Sequence, residues 1–430
     1  MKKSLIGIIT VMLVSSLLMV AGYMVQNKSE TGDSGKKGEP ILDKDRVMEI
    51  RITLAEEDYQ DILANPMAEE YKVAKVEIDG LVIDNVGFRT KGNSSLSMVA
   101  NSDSDRYSFK LDFDQYIDGQ NYKGLTKLNL NNSISDPSYM REYLSYSLFQ
   151  EMGVATPNFA YANIYVNDEK VGLYLAVEGI EEPFLERYYG KNYGNLYKPD
   201  GTGSDLVYID DNIESYSGIR AVIDKKKGAD EALINMLKSL NEGKNLEQVI
   251  NIEDTLKYFA VNTVLVSMDS YQGIMKHNYY LYEEDGKFTI LPWDYNMSFG
   301  GFSMGRGGRS LATDLPIDEP VEGTPLEQRP LIGKLLEVKE YKELYHQYIR
   351  EFIEGPFSVE KMTAEIERVA NLIRPYLEED PTKFYSMEQF ELALGEGTTQ
   401  ETGIDLSPDS YQNPVEESGL QEKSDSQEKQ

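Results

Sequence analysis

Apolar and polar positions alternate through most of the first half of the chain. VMEIRITL (47–54) and YKVAKVEIDGLVIDNVGFRTKG (71–92) read as strands separated by a short helical piece around EEDYQDILANP. YSFKLDFD (107–114), KLNLNN (127–132), FAYANIYVN (159–167) and KVGLYLAVEG (170–179) repeat the same period of two. Such alternation predicts half-buried strands, and Asp79-Gly80 and Asn167-Asp168 predict the turns of two hairpins. One helix interrupts the series. Asp136-Pro137 is a helix-start signal, and MREYLSYSLFQEMG (140–153) has an amphipathic spacing that stops at Gly153.

Beyond Gly179 the period lengthens. EEPFLERYYG (181–190) predicts a helix, NLYK (195–198) a short strand, then an irregular acidic stretch, then helices across residues 228–266. NYYLY (278–282) and FTILPW (288–293) flank the polar turn EEDGK and predict one more hairpin. A Gly-rich segment, GGFSMGRGGRS with Arg306 and Arg309, reads as a mobile loop near substrate or simply a flexible one. Helix returns from about Leu331 to Leu377. Antiparallel strands, one inserted helix, a crossing point and a helical half make an α+β chain. The expected fold is a divergent bilobal protein-kinase-like one, with an antiparallel-sheet N-lobe and a mainly helical C-lobe.

The two ends differ from this body. Ser4 to Val25 is an uncharged, mostly apolar run of 22 residues behind Lys2-Lys3, long enough to span a hydrocarbon core as a helix. Its length and the lack of an A-x-A site suit an uncleaved signal anchor, with a cleaved signal as the alternative. Either form places the body outside the cytoplasm. Residues 26–43 read as a polar tether and 395–430 as a disordered acidic tail, leaving a folded domain over 44–394. The formal charge of −30 argues against nucleic acid and suits a basic protein substrate or partner. Absence of cysteine excludes disulfides and thiolate metal sites.

Candidate chemistry concentrates in residues 262–300. Asp269 follows an apolar run, Asn278 opens the last hairpin and Asp294 closes it, so the amide and the second carboxylate lie side by side. Such a set suits Mg²⁺ held on a nucleotide, with a free carboxylate facing a hydroxyl. The order Asp, Asn, hairpin, Asp is that of the catalytic half of a protein kinase, but Asp269 precedes Asn278 by nine positions rather than five. No HRD, DFG or APE string occurs. Asp269 is the expected catalytic base, Asn278 and Asp294 the expected metal ligands, and no zinc site is expected beside His277. The loop Arg89-Thr90-Lys91-Gly92-Asn93-Ser94-Ser95 is the expected phosphate cradle. Lys110, or equally Lys127, is the phosphate lysine, Glu142 its partner on the inserted helix, and Val177-Glu178-Gly179 the cofactor-facing hinge.

Eight segments in series resemble the CotH family, the spore coat protein H type of atypical secretory kinase. They are FRTKGNSS, YSFKLDFD, KLNLNN, DPSYMRE, NIYVNDEKVGLYLAVEG, NLYK, MDSYQGIMKHNYYLY and GKFTILPWDYNMSFGG, spanning roughly residues 46–300. The resemblance implies transfer of the γ-phosphoryl group of ATP to Ser, and by extension Thr, hydroxyls of extracytoplasmic proteins, with Mg²⁺ or Mn²⁺. It also implies that Asp269 and Asp294 are the site acids. The family motif commonly ends PWD-x-D; here the last position is Asn296, a third expected metal ligand that offers an oxygen without a charge. A scaffold that keeps the fold, lacks catalysis and binds a basic protein is the alternative.

Overall fold

The computed structural model describes residues 41–302 and 315–395. The apolar run within 1–25, nearly all of the tether, Arg306, Arg309 and the tail beyond Gly395 lie outside the described residues. Among the described residues no helix is long and apolar enough to cross a membrane.

Seven strands form one sheet: β1 (Met48–Thr53), β2 (Lys72–Ile78), β3 (Leu81–Thr90), β4 (Phe109–Asp112), β5 (Lys127–Asn131), β6 (Phe159–Val166) and β7 (Glu169–Glu178). Their order is β1-β2-β3-β4-β5-β7-β6, and β1 pairs parallel with β6, so the sheet closes into a barrel. A second, antiparallel sheet has the order β11-β10-β8-β9, from β8 (Asn195–Pro199), β9 (Ile219–Ile223), β10 (Tyr279–Glu284) and β11 (Lys287–Pro292). Mixed α and β content is as expected, but the bilobal kinase-like architecture is not what forms. A kinase-like N-lobe needs an open sheet, and the β1–β6 pairing removes both edges of this one.

Register explains the barrel. Ile50 pairs with Ile78 and Ile164, Phe88 with Leu111, Leu111 with Leu128, and Leu130 with Phe109 and Ala176. These side chains are almost fully buried, so one continuous apolar face lines the interior. The opposite face carries Arg89, Lys110, Lys127 and Asn129 on β3–β5, and turns apolar on β7 and β6.

That outer apolar surface receives the helix Arg141–Glu151. Tyr143 stacks on Tyr161 at 5.0 Å, and Tyr146 lies 5.6 Å from Phe159. On its other side Phe149 meets Tyr295 edge-on at 4.9 Å. Tyr143, Leu144, Ser145, Tyr146, Leu148 and Phe149 are all buried, so the helix is wedged between barrel and hairpin rather than amphipathic. It starts at Arg141 because Asp136 accepts the Arg141 backbone N–H at 2.7 Å. A buried ion pair closes the far side: Arg106, before β4, meets Asp380, after helix Val359–Glu378, at 2.9 Å.

Candidate active site

Asp269 is not on a helix. The apolar helix ends at Val264, and Val266 turns the chain with φ +45°, a conformation that a β-branched side chain rarely takes. The loop that follows is pinned from within. Asn262, fully buried, donates to the Ser267 carbonyl (3.0 Å), Ser270 Oγ (3.1 Å) and Gln272 Oε1 (2.7 Å). Buried Arg329 donates to the carbonyls of Tyr271 and Gly273. Gly273 is obligatory: a Cβ there would lie 1.6 Å from the Met268 carbonyl oxygen.

On this loop the Asp269 carboxylate is held from two sides. His277 Nε2 lies 2.6 Å from Oδ1, and Asn278 Nδ2 donates to Oδ2 at 3.1 Å and to the Asp269 carbonyl at 3.0 Å. Burial pushes the His277 pKa down, but its hydrogen bond to Asp269 and the Asp269 charge prevail and raise it.

Asp294 follows β11. Tyr279 pairs with Pro292, so Asn278 faces Trp293 and Asp294 is the next residue along. Asn278 and Asp294 have φ of +56° and +58°, so both leave the strands through left-handed turns that Asn and Asp tolerate best. The Asp294 N–H donates to Tyr146 Oη at 3.0 Å, which docks the hairpin on the helix Arg141–Glu151. Asp294 keeps access to solvent yet is densely surrounded, as at the floor of a cleft. Burial raises its pKa and the Asp269 charge adds to this, against Lys91, His277 and Lys198.

Glu142 completes the acidic set. It is buried, and desolvation first, then the Asp294 charge, push its pKa up to about 7. Lys91 donates to Asn131 Oδ1 at 2.8 Å, and Asn131 Nδ2 donates to Glu142 Oε2 at 2.8 Å, so one amide relays between cation and carboxylate. Gly92 has φ +125°, and the expected phosphate loop becomes a helix, Ser94–Ala100, directly after Asn93. Arg89 is engaged elsewhere, by Glu69 and over the Tyr71 ring.

Lys110 and Lys127 share the outer barrel face but differ in surroundings. Lys127 lies 3.1 Å from Glu181. Burial, then the neighbouring Lys127, lower the Lys110 pKa to about 8. Glu178 does not face the cleft: Arg187 binds both its oxygens and Asn158 donates to Oε2. Asn296 is half-buried in the turn after Asp294. The structure therefore brings Asp269, Asn278, Asp294, Glu142 and Lys91 together and sets Arg89 and Glu178 into other contacts. His277 and Lys198 were not selected as site residues from the sequence, although the strings KHNYYLY and NLYK contain them.

A divalent cation is compatible with these donors. The Asp269 charge raises the pKa of Asp294, and the Asp294 charge that of Glu142, a repulsion that a cation removes. Among the described residues no three His, Asp or Glu side chains gather as a complete metal cage. Asp294 with the Asn278 amide oxygen would hold an ion that takes its other ligands from water and phosphate, as Mg²⁺ commonly does. Two grooves, of about 380 Å³ between helices Arg141–Glu151 and Val359–Glu378 and about 560 Å³ beside Tyr208 and Leu326, lie away from these residues.

The family described as CotH kinase protein matches residues 88–416. The chain belongs to the CotH family. Within it, the chain is similar to "Inner spore coat protein H" of Bacillus subtilis (strain 168), 26% identical over 278 residues, 63% of this chain and 74% of the relative. It is also similar to "Inner spore coat protein H-like protein" of the same organism, 20% identical over 274 residues with the same shares, 63% and 74%. The matched span contains every residue of the CotH cleft described above.

Proposed function

We propose that this chain is an atypical, ATP-dependent protein kinase that transfers the γ-phosphoryl group to Ser, and also Thr, hydroxyls of proteins outside the cytoplasm. The observation that carries this reading is the Asp269 carboxylate, fixed by His277 and Asn278 in the same cleft as Asp294. A fixed carboxylate positions and accepts the proton of an incoming hydroxyl. Asp294 and Asn278 would hold the Mg²⁺ or Mn²⁺, which supplies charge neutralisation at the phosphates, while Lys91 faces them from the barrel. Phosphoryl transfer depends mainly on positioning and on charge neutralisation, so this sparse set suffices. The family description and the coat-protein relatives support the reading, and the apolar run behind Lys2-Lys3 supports the location.

Asn296 favours one rival, a non-catalytic coat scaffold that recruits a basic protein. Purified chain, γ-labelled ATP, Mg²⁺ or Mn²⁺ and a basic Ser-rich protein separate the two. Label on Ser that disappears in Asp269→Ala and in Asp294→Ala is expected. No transfer, with no metal-dependent ATP binding, would leave the scaffold.

A further inference from the structure

β9 is the open edge of the small sheet. Among the described residues it pairs with β8 alone, and Arg220, Ala221 and Val222 are exposed in succession. Side chains of a strand point alternately to its two faces, so this run leaves both faces of β9 uncovered. Gly218 turns its N–H and C=O toward the chain that continues β8, bonded to Thr202 and Asp200. Backbone groups alternate likewise, so Arg220 faces β8 and the N–H and C=O of Ala221 face outward. Among the described residues no other strand bonds to them.

Edges kept from pairing usually carry Lys, Pro or an inward-pointing charge. Here Arg220 bends back to the Ser217 carbonyl at 3.3 Å, and Val222, 51% exposed, sits where the register with β8 shifts. That shift limits an added strand to a few residues, which suits one extended segment better than a second copy of the sheet.

The edge leads to the cleft. Tyr279 pairs with Pro292 and Pro199 with Ile219, and the Leu281–Tyr197 register sets Tyr279 opposite Pro199. Asn278, Asp294 and the start of β9 therefore share one end of the sheet. At about 4.8 Å per strand, a segment added outside β9 lies roughly 15 Å from β10, about five extended residues from the Asp269 carboxylate that Asn278 holds. Charge selects the segment: residues 200–224 hold six carboxylates against Arg220 alone, with Asp200 and Asp224 exposed at the two ends of the edge.

We infer that β9 docks an extended, basic segment of the protein substrate by strand addition and so offers a hydroxyl about five residues away to Asp269. This rests on the kinase reading of the cleft, and it puts substrate recognition on the small sheet.

Hydrogen exchange and a rate assay on the full chain test it, with a basic peptide of repeated Ser-Lys-Val as the probe. On peptide binding the Ala221 amide should exchange at least about tenfold more slowly. Ala221→Pro removes that N–H without breaking a bond within the sheet. It should keep the wild-type melting temperature and raise KM for the peptide by about tenfold, with KM for ATP unchanged. Ala221→Val, which keeps the N–H, should behave as wild type. A peptide that fails to bind, or binds without slowing the Ala221 amide, overturns the inference; so does an equal peptide KM in Ala221→Pro and wild type. The exchange measurement uses no variant and decides the matter where Ala221→Pro folds poorly. Slowed exchange with no label transfer from ATP would instead sink the kinase reading and leave the dock standing.

Discussion

Tyr295 donates its hydroxyl to the Asn262 amide oxygen at 2.7 Å, which ties the turn after Asp294 to the support of the Asp269 loop. Asn262 holds the loop of Asp269 with its amide nitrogen, while Tyr295 is the residue after Asp294. The buried Asn262 amide thus helps to set the distance between base and metal ligand, beside the bonds from Asn278 to Asp269. Tyr295→Phe keeps the ring and should cost about 1–2 kcal/mol. Asn262→Ala leaves several buried groups unpaired and should cost more, roughly 2–3 kcal/mol. Urea unfolding measures both. Phosphoryl transfer should fall further in Asn262→Ala than the fraction unfolded explains.

Removal of Asp294 should separate activity from stability. Its ionised form is opposed by burial and by the Asp269 charge, and it in turn raises the pKa of Glu142. Asp294→Asn should therefore melt at or above the wild-type temperature without metal, and it should lose metal-dependent ATP binding. A clear drop in melting temperature would mean that the carboxylate has a structural partner.

Glu142 gives the stability of the metal-free protein a pH dependence of known sign. Its folded pKa, about 7, lies above the value of 4.5 for an unperturbed Glu. The folded state binds this proton more tightly, so the contribution is fully present below about pH 4.5 and fades as pH rises toward 7. With chelator present, the unfolding free energy of Glu142→Gln should fall less than wild type across that window. Parallel curves for the two proteins would count against the assignment.

Asp380 should matter more than any exposed acid. Arg106 is fully buried, and Asp380 binds it and also accepts the Leu173 N–H at 2.8 Å. Asp380→Ala strands a buried guanidinium and should cost about 3–5 kcal/mol. Exposed pairs such as Arg51–Glu49 should be worth less than about 1 kcal/mol. Chemical denaturation of the two alanine variants gives the comparison directly.

Turns and strands were legible because their residue types are forced. Asp79-Gly80, Asn167-Asp168 and Asp285-Gly286 all sit at positive φ, where Asn, Asp and Gly are tolerated, and each was visible as a hairpin tip. The pairing of Asn278 with Asp294 followed from the last of these. Barrel closure was not legible: β1 and β6 alternate identically whether or not they meet, and no local signal names a strand's partner. β9 escaped notice because only Ile219 and Ile223 of its five residues are buried, inside an acidic stretch. The Glu178 carboxylate's partner was not legible, because Arg187 comes from a helix beyond the strand.

His277 offers the sharpest test of how Asp269 is used. Its ring takes one carboxylate oxygen at 2.6 Å and Asn278 takes the other, so Asp269 is oriented by two neighbours before any substrate arrives. His277→Ala leaves only the amide, and the carboxylate gains freedom to rotate. A positioned base that loses its orientation lowers turnover by up to about 100-fold while nucleotide affinity holds. The expected pattern is therefore a fall in kcat with KM for ATP unchanged, partly recovered in His277→Gln, which can still donate. A folding role for His277 predicts something else: a lower melting temperature, a smaller active fraction and unchanged kcat per folded molecule. Active-site titration alongside the rate assay distinguishes these, and an unchanged kcat would remove His277 from the machinery.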